Sequence, residues 1–128
     1  MKITLPFPDM QKLHSHARGN SHYAKTKATK EARALAHVTC LSLHYPRIVG
    51  KCCICYEIYV PDNRKRDTVN ILQACKPYVD GIVSSGLVED DCWQKMVVYN
   101  VEVAIDAEDP RIVISLHPID VKGDLLAL

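Results

Sequence analysis

Residues 51–60, KCCICYEIYV, constrain the fold of this chain more than any other segment. The run is dense in β-branched, aromatic and cysteine side chains and contains neither glycine nor proline, which is typical of a buried strand. We therefore predict a central strand over Lys51–Val60. Its cysteines, Cys52, Cys53 and Cys55, are expected to be buried strand thiols, because a four-ligand zinc site would need a second cysteine pair.

The other elements are predicted from the periodicity of apolar residues. Alternation with a period of two predicts three more strands, at Lys2–Pro6, Lys95–Ile105 and Arg111–Pro118. Helical spacing predicts one helix over Lys25–Leu43 and a second that ends near Ser85, with Gly86 just beyond it. The expected connections are a long polar loop over residues 9–24 and a hairpin-like turn over Asp106–Pro110.

The resulting order, β-α-β-α-β-β, defines the predicted fold class: α/β (α+β), a single small domain with a mixed sheet. The chain has 128 residues, which is enough to bury one core. We assign the domain to residues 1–118 and treat residues 119–128 as a C-terminal tail.

Pro77 leaves two interpretations of the second helix open. Inside a helix, proline removes a hydrogen bond and kinks the axis, whereas in the first turn it is well tolerated. Either a kinked helix carries Val69, Gln73, Lys76 and Asp80 on one face, or the helix begins near Pro77. In the second case, Val69 and Gln73 lie in irregular chain.

Charge is distributed unevenly, although the net charge is only +1. Residues 1–77 carry 13 Lys and Arg against 5 Asp and Glu, whereas residues 78–128 carry 3 against 10. This segregation predicts an anion-binding surface beside a cation-binding one, unless folding mixes the two halves. No segment approaches the roughly 20 apolar residues that span a membrane, so we expect a cytosolic protein with no membrane partner and with reduced cysteines.

A short basic and acidic segment follows the central strand. Three cations, RKR at residues 64–66, immediately precede Asp67, and Asp90 and Asp91 lie on a later loop. Metal-assisted hydrolysis of a phosphodiester needs carboxylates to bind the ion and cations to hold the phosphate. Structural roles stay open for the same residues: Asp67 as a helix N-cap, Asp90 and Asp91 as turn residues, and the cations as a solvated loop.

Four motifs occur in a fixed order: I-T-L-P-x-P at residues 3–8, R-D-x-x-N at 66–70, K-x-x-x-D-G at 76–81 and D-D at 90–91. Together they resemble the RusA family of crossover-junction (Holliday junction) endodeoxyribonucleases. The resemblance implies a RusA-like homodimer that nicks four-way DNA junctions in recombination and repair. It also implies Mg²⁺ as cofactor, with Mn²⁺ as a substitute, and a bacterial or phage-encoded protein in the cytoplasm.

The resemblance also assigns roles to individual residues. The implied catalytic residues are Asp67, Lys76 and Asp91, and the implied metal ligands are Asp67 and Asp91 with their neighbour Asp90. We add Asp80 to both sets, as a catalytic residue and a metal ligand, because it is the candidate replacement for a carboxylate that the family motif has and this chain lacks. Contacts with DNA phosphates, which give affinity without sequence readout, are expected from seven cations. These are Lys12, Arg18, Lys25, Lys27, Arg64, Lys65 and Arg66.

Position 69 departs from the family motif R-D-x-D-N, because Val69 stands where an aspartate is expected. Two outcomes stay open: Asp80, one helical turn after Lys76, replaces the missing carboxylate, or the protein binds junctions and cuts them poorly. Trp93, the only tryptophan, also has two interpretations, as a platform that stacks on an unpaired base and as a core anchor for the acidic loop.

Overall fold

The computed structural model describes residues 1–13 and 22–120, which form four helices and four strands. In chain order they are β1 (Lys2–Pro6), α1 (Met10–Leu13), α2 (His22–Leu43), β2 (Cys52–Val60), α3 (Thr68–Ala74), α4 (Lys76–Ser84), β3 (Met96–Ile105) and β4 (Arg111–Pro118). The predicted fold class is confirmed: this is a single small α+β domain around a mixed four-stranded sheet.

The sheet has the strand order β1-β4-β2-β3, with β2 at an inner position as predicted. Strands β1 and β2 both pair antiparallel with β4, and β3 pairs in parallel with β2. The prediction of a hairpin-like turn over Asp106–Pro110 is therefore wrong, because β2 separates β3 from β4. The turn instead passes the end of β2, where the Asp106 amide donates to the Val60 carbonyl at 2.9 Å.

One face of the sheet packs against the helices and forms the core. From β2 this face contributes Cys52, Ile54, Tyr56, Ile58 and Val60, all of them buried. The prediction of buried strand thiols is confirmed for Cys52 and Cys53, while Cys55 is partly exposed, and all six cysteines are free thiols. Ile119, in the segment predicted as a tail, is also buried, and its amide donates to the Lys51 carbonyl.

Helices α2 and α4 cross in close contact. Helix α2 buries only a narrow stripe of small residues, Ala32, Ala36 and Cys40. Ala36 of this stripe lies against Gly81 of α4, where an added Cβ atom would lie 2.3 Å from the Arg33 carbonyl oxygen. Because only hydrogen fits at that position, Gly81 lets the two helix backbones approach and fixes the seating of α4.

The second predicted helix is in fact two helices that meet at Cys75. Pro77 lies in the first turn of α4, where its missing N–H costs nothing, which confirms that this helix begins near the proline. Val69 and Gln73 do not lie in irregular chain, as this interpretation required, but in α3. At the N-terminus, residues 10–13 form α1 and α2 starts at His22, so the described parts of the predicted 9–24 loop are largely helical.

Candidate active site

The side chains of Lys76, Asp80 and Asp91 form a contact group on α4 and the loop that precedes β3. Lys76 Nζ donates to Asp80 Oδ1 at 2.6 Å and also to Asp91 Oδ2. Partial burial of Lys76 acts to lower its pKa, but the hydrogen bonds to both carboxylates outweigh it and the pKa is raised. The hydrogen bond from Lys76 lowers the pKa of Asp91. Lys76 and Asp91 therefore both carry their charge at neutral pH.

Helix α4 presents two members of this group on one face. Lys76 is the first residue of α4 and Asp80 lies one turn later, so the pair has the i,i+4 spacing that brings side chains together. A lysine at the N-terminus of a helix faces the positive end of the helix dipole, which disfavours its charge. The negative charges of the two carboxylates offset that repulsion, which explains why the Lys76 side chain packs against them.

The third member, Asp91, is positioned by a loop that is held by two hydrogen bonds to the segment before β2 and by one ion pair within the loop itself. The Leu87 carbonyl accepts from the Ile48 amide at 2.8 Å. Glu89 then bridges two segments, because one carboxylate oxygen accepts from the Gly50 amide at 3.0 Å and the other contacts Lys95 Nζ at 2.7 Å. Asp91 consequently has a defined position rather than that of a solvated turn residue.

The predicted ligands Asp67 and Asp90 do not take part in the Lys76 contacts. Asp67 is the N-cap of α3 and accepts from the amides of Val69 and Asn70, as in its structural interpretation. Asp90 accepts from the Asp91 amide at 2.8 Å. Within residues 1–13 and 22–120, no three Asp, Glu, His or Cys side chains are grouped as a metal-ligand set. The expected convergence of four aspartates is therefore not observed.

Two carboxylates are nevertheless a sufficient protein contribution to a magnesium site. Mg²⁺ commonly binds one or two carboxylates and fills its remaining positions with water and substrate phosphate. Asp80 and Asp91 present oxygens that contact the same nitrogen atom, so they already converge on one cation. The donor chemistry of the pair thus fits Mg²⁺, provided that the ammonium group of Lys76 moves aside.

The basic loop after β2 borders a cleft of about 490 Å³, whose other side is formed by the N-terminal segment around Phe7. Arg66 is the least exposed of the three cations, with 16% of its side chain accessible, and it is bound to Asp62 at 2.8 Å. Its guanidinium group also lies 6.0 Å from the centre of the Phe7 ring. Arg66 therefore holds the loop, while Arg64 and Lys65 are the exposed cations at the cleft.

Asp62 is a site residue that the sequence interpretation missed. Hydrogen bonds from Arg66 and from the Arg64 backbone and side chain hold its pKa well below the ordinary value. The sequence held a local signal for this role. Asp62 precedes Arg64 by two residues and Arg66 by four, so its carboxylate can form an Asx turn and bind both arginines. One carboxylate thus offsets part of the charge of the predicted anion-binding loop.

The predicted DNA contacts of the N-terminal region lie on α1 and α2. Lys12 and Lys27 make long ion pairs of 3.9 Å with Asp9 and Glu31, on an exposed surface where such pairs contribute little. Lys25 lies near the start of α2, and the prediction for Arg18 falls outside the described residues.

Trp93 is 76% exposed, so its interpretation as a core anchor is wrong. Val69, at the position of the expected aspartate, is 60% exposed on α3. Neither apolar side chain contributes to the core: Trp93 faces solvent on the loop that carries Asp91, and Val69 faces solvent on α3, which precedes α4.

No protein-family model matches this chain, and no curated protein matches it significantly. Across the described residues, no helix combines the length and the apolar character needed to cross a bilayer.

Proposed function

We propose that this protein is a metal-dependent endodeoxyribonuclease of the Holliday junction resolvase type, which cuts DNA at four-way junctions in recombination and repair. The observation that carries the proposal is the contact group in which Lys76 joins Asp80 to Asp91. Two convergent carboxylates could hold a divalent cation for metal-assisted phosphodiester hydrolysis, and the neighbouring lysine could contact the phosphate. The resemblance of the ordered motifs to the RusA family supports the same function.

Each member of the group has a chemical task in this proposal. Asp80 and Asp91 would hold Mg²⁺, or Mn²⁺ in its place, and Asp91 is suited to this because its lowered pKa keeps it ionised. When bound, the ion supplies an activated water nucleophile and stabilises charge on the phosphate. Lys76 stays protonated and can transfer its hydrogen bonds from the carboxylates to a phosphate oxygen.

Asp80 is the residue that compensates for Val69 in this account. Asp80 lies in the contact group with Asp91, whereas Val69 is an exposed residue of α3 and cannot bind a metal ion. The competing possibility is a protein that binds junctions but cuts them poorly. Two substitutions distinguish this possibility from replacement of the missing ligand by Asp80. If Asp80 has replaced the missing ligand, Asp80→Asn abolishes junction cleavage and Val69→Asp does not improve it.

The assay is nicking of a labelled four-way junction in Mg²⁺, with junction binding measured in parallel. A missing ligand in such a site costs several orders of magnitude in rate. Asp109→Asn is the matched control, because it removes one exposed carboxylate from the turn between β3 and β4 and should leave the rate unchanged. Wild-type cleavage that Asp80→Asn does not alter would refute the role of Asp80.

We also propose that the protein acts as a homodimer, since two symmetric sites allow paired incisions in two strands. The surface that supports this is the helix-side face of β3. Val103 and Ile105 pair with the core residues Ile58 and Val60 and so point to the same face, yet they are 50% and 57% exposed. In the described structure the helices leave this strip of β3 uncovered.

A second copy of the chain is the proposed cover for this strip. The register shift between β2 and β3 leaves Tyr99 unpaired and forms a β-bulge. A bulge disfavours continuous hydrogen bonding of a second strand along the outer edge of β3. Side-chain packing should therefore dominate the contact between the two copies. Val103→Glu should therefore convert a dimer into a monomer in sedimentation experiments. Leu41→Glu, on the exposed face of α2, is the matched control and should leave the dimer intact. A monomeric wild type at micromolar concentration would contradict the proposal.

We place the protein in the cytoplasm of a bacterial host, as expected for an enzyme that acts on chromosomal or phage DNA. The six free thiols support a reducing compartment, because disulfides are rare there.

A further inference from the structure

Trp93 is a large apolar side chain that the fold leaves in solvent directly beside the candidate active site. Burying a tryptophan normally removes 150–250 Å² of surface from water, so exposing the only one in the chain forgoes a substantial stabilisation. Only Cys92 separates Trp93 from Asp91 along the chain, which limits the distance between their Cα atoms to roughly 7 Å.

The backbone that carries Trp93 is well ordered by its hydrogen bonds. The Cys92 carbonyl accepts from the amides of both Lys95 and Met96 at 2.9 Å, which closes a turn around Trp93. The ion pair between Lys95 and Glu89 then ties this turn to the loop that positions Asp91. An exposed aromatic ring on a fixed turn loses little entropy when it binds, as recognition residues generally require.

We infer that Trp93 is a stacking platform for an unpaired nucleobase next to the scissile phosphate; this rests on the proposed function and specifies how its substrate is recognised. Every base has a π-face, so such a ring binds bases without reading sequence. It favours branched DNA, because base stacking is interrupted at the branch point and a base there is more readily unpaired than one inside a continuous duplex. The flat indole gives a contact that neither Asp80 nor Asp91 can make with DNA.

The surroundings of Trp93 favour a base over a protein partner. The exposed residues nearest to it along the chain, Asp90 and Gln94, are polar, whereas the aromatic anchors of protein interfaces usually lie within an apolar ring. Asp90 and Asp91 repel DNA phosphates, however, so the contact should strengthen when a divalent cation neutralises Asp80 and Asp91.

The sole tryptophan makes the test direct, since selective excitation reports on this residue alone. Full-length protein is titrated with a four-way junction and with intact duplex of equal length, in EDTA and in Ca²⁺, while labelled DNA reports binding independently. We expect the junction to quench Trp93 emission more than the duplex does, and more strongly in Ca²⁺. Trp93→Ala should weaken junction binding roughly 10-fold to 100-fold, the loss of one base–aromatic stack, and Trp93→Phe should retain part of it.

Val49→Ala is the matched control, because Val49 is also highly exposed and precedes Gly50, which is bound to the same loop. It should bind junctions like the wild type. Junction binding with unchanged emission and no effect of Trp93→Ala would overturn the inference while leaving the proposed function standing. Loss of the dimer in Trp93→Ala would also overturn it, by assigning the ring to a protein interface. Failure of the wild type to bind junctions at all would refute both proposals.

Discussion

Replacing Gly81 with alanine should destabilise the domain because it forces α2 and α4 apart. The added Cβ would lie 2.3 Å from the Arg33 carbonyl oxygen and 2.8 Å from the Ala36 Cβ, whereas real Cβ contacts are essentially never under 3.0 Å. The first of these neighbours is backbone, so a side-chain rotation cannot relieve it. The whole of α2 must shift by roughly 0.7 Å or more at this crossing.

The expected magnitude follows from two opposing effects. Overpacking of this kind costs about 1–3 kcal/mol, and a backbone clash belongs at or above the upper end of that range. Alanine in a helix interior gains about 1 kcal/mol over glycine. The net loss should be about 2 kcal/mol, which corresponds to a fall in Tm of roughly 5–10 °C. Because α4 carries Lys76 and Asp80, junction cleavage should fall as well.

Far-ultraviolet circular dichroism is the suitable assay, since the exposed Trp93 is a poor reporter of core unfolding. Ala36→Gly in the Gly81→Ala background is the control: it removes the contact at 2.8 Å, leaves the backbone clash, and so should not restore stability. A Gly81→Ala variant as stable as the wild type, or more stable, would refute the close approach of the two helices.

Three further predictions concern the candidate site. Asp67→Ala removes the N-cap of α3 and should lower stability by about 1 kcal/mol in urea unfolding, whereas Asp67→Asn keeps a capping oxygen and should lose less. Substituting Arg64 and Lys65 by alanine should weaken DNA binding and reduce its salt dependence by up to about 0.9 per lost phosphate contact; an unchanged slope would place this loop away from DNA. The pKa of Asp91 lies below its ordinary value of 3.8 in the folded protein, so the stabilisation by Lys76 is complete well above pH 3.8 and is lost as pH falls through the folded pKa. Asp91→Asn should therefore reduce stability at pH 7 and converge with the wild type in acid, and parallel acid-unfolding curves would contradict this reasoning.

The elements of this fold that depend on local pattern could be predicted from the sequence, whereas those that depend on distant pairing could not. The bounds of β2 and of β3 were right to within one residue, because side-chain alternation and composition are local properties. The position of β3 was wrong, because an Asp-rich turn at residues 106–110 looks like a hairpin, and only the parallel pairing with β2 shows that it crosses a strand.

The candidate site shows the same division. The i,i+4 pair of Lys76 and Asp80 is a local feature and was expected. Its contact with Asp91 depends on the long-range hydrogen bond from the Gly50 amide to Glu89 and on the ion pair between Glu89 and Lys95, which a local pattern does not show. The N-cap role of Asp67 was an open alternative at the sequence level, since an aspartate before a helix has the same pattern whether it caps or binds metal.

Under the proposed function, the group formed by Lys76, Asp80 and Asp91 cuts branched DNA with the help of a divalent cation. The most direct measurement is the single-turnover rate at which wild-type protein nicks a labelled four-way junction as Mg²⁺ is raised from zero, beside a linear duplex of the same sequence. We expect no cleavage without the ion, a rate that saturates with Mg²⁺, and strong preference for the junction. Bound junction that stays intact at saturating Mg²⁺ and Mn²⁺, or equal cutting of the linear duplex, would contradict it.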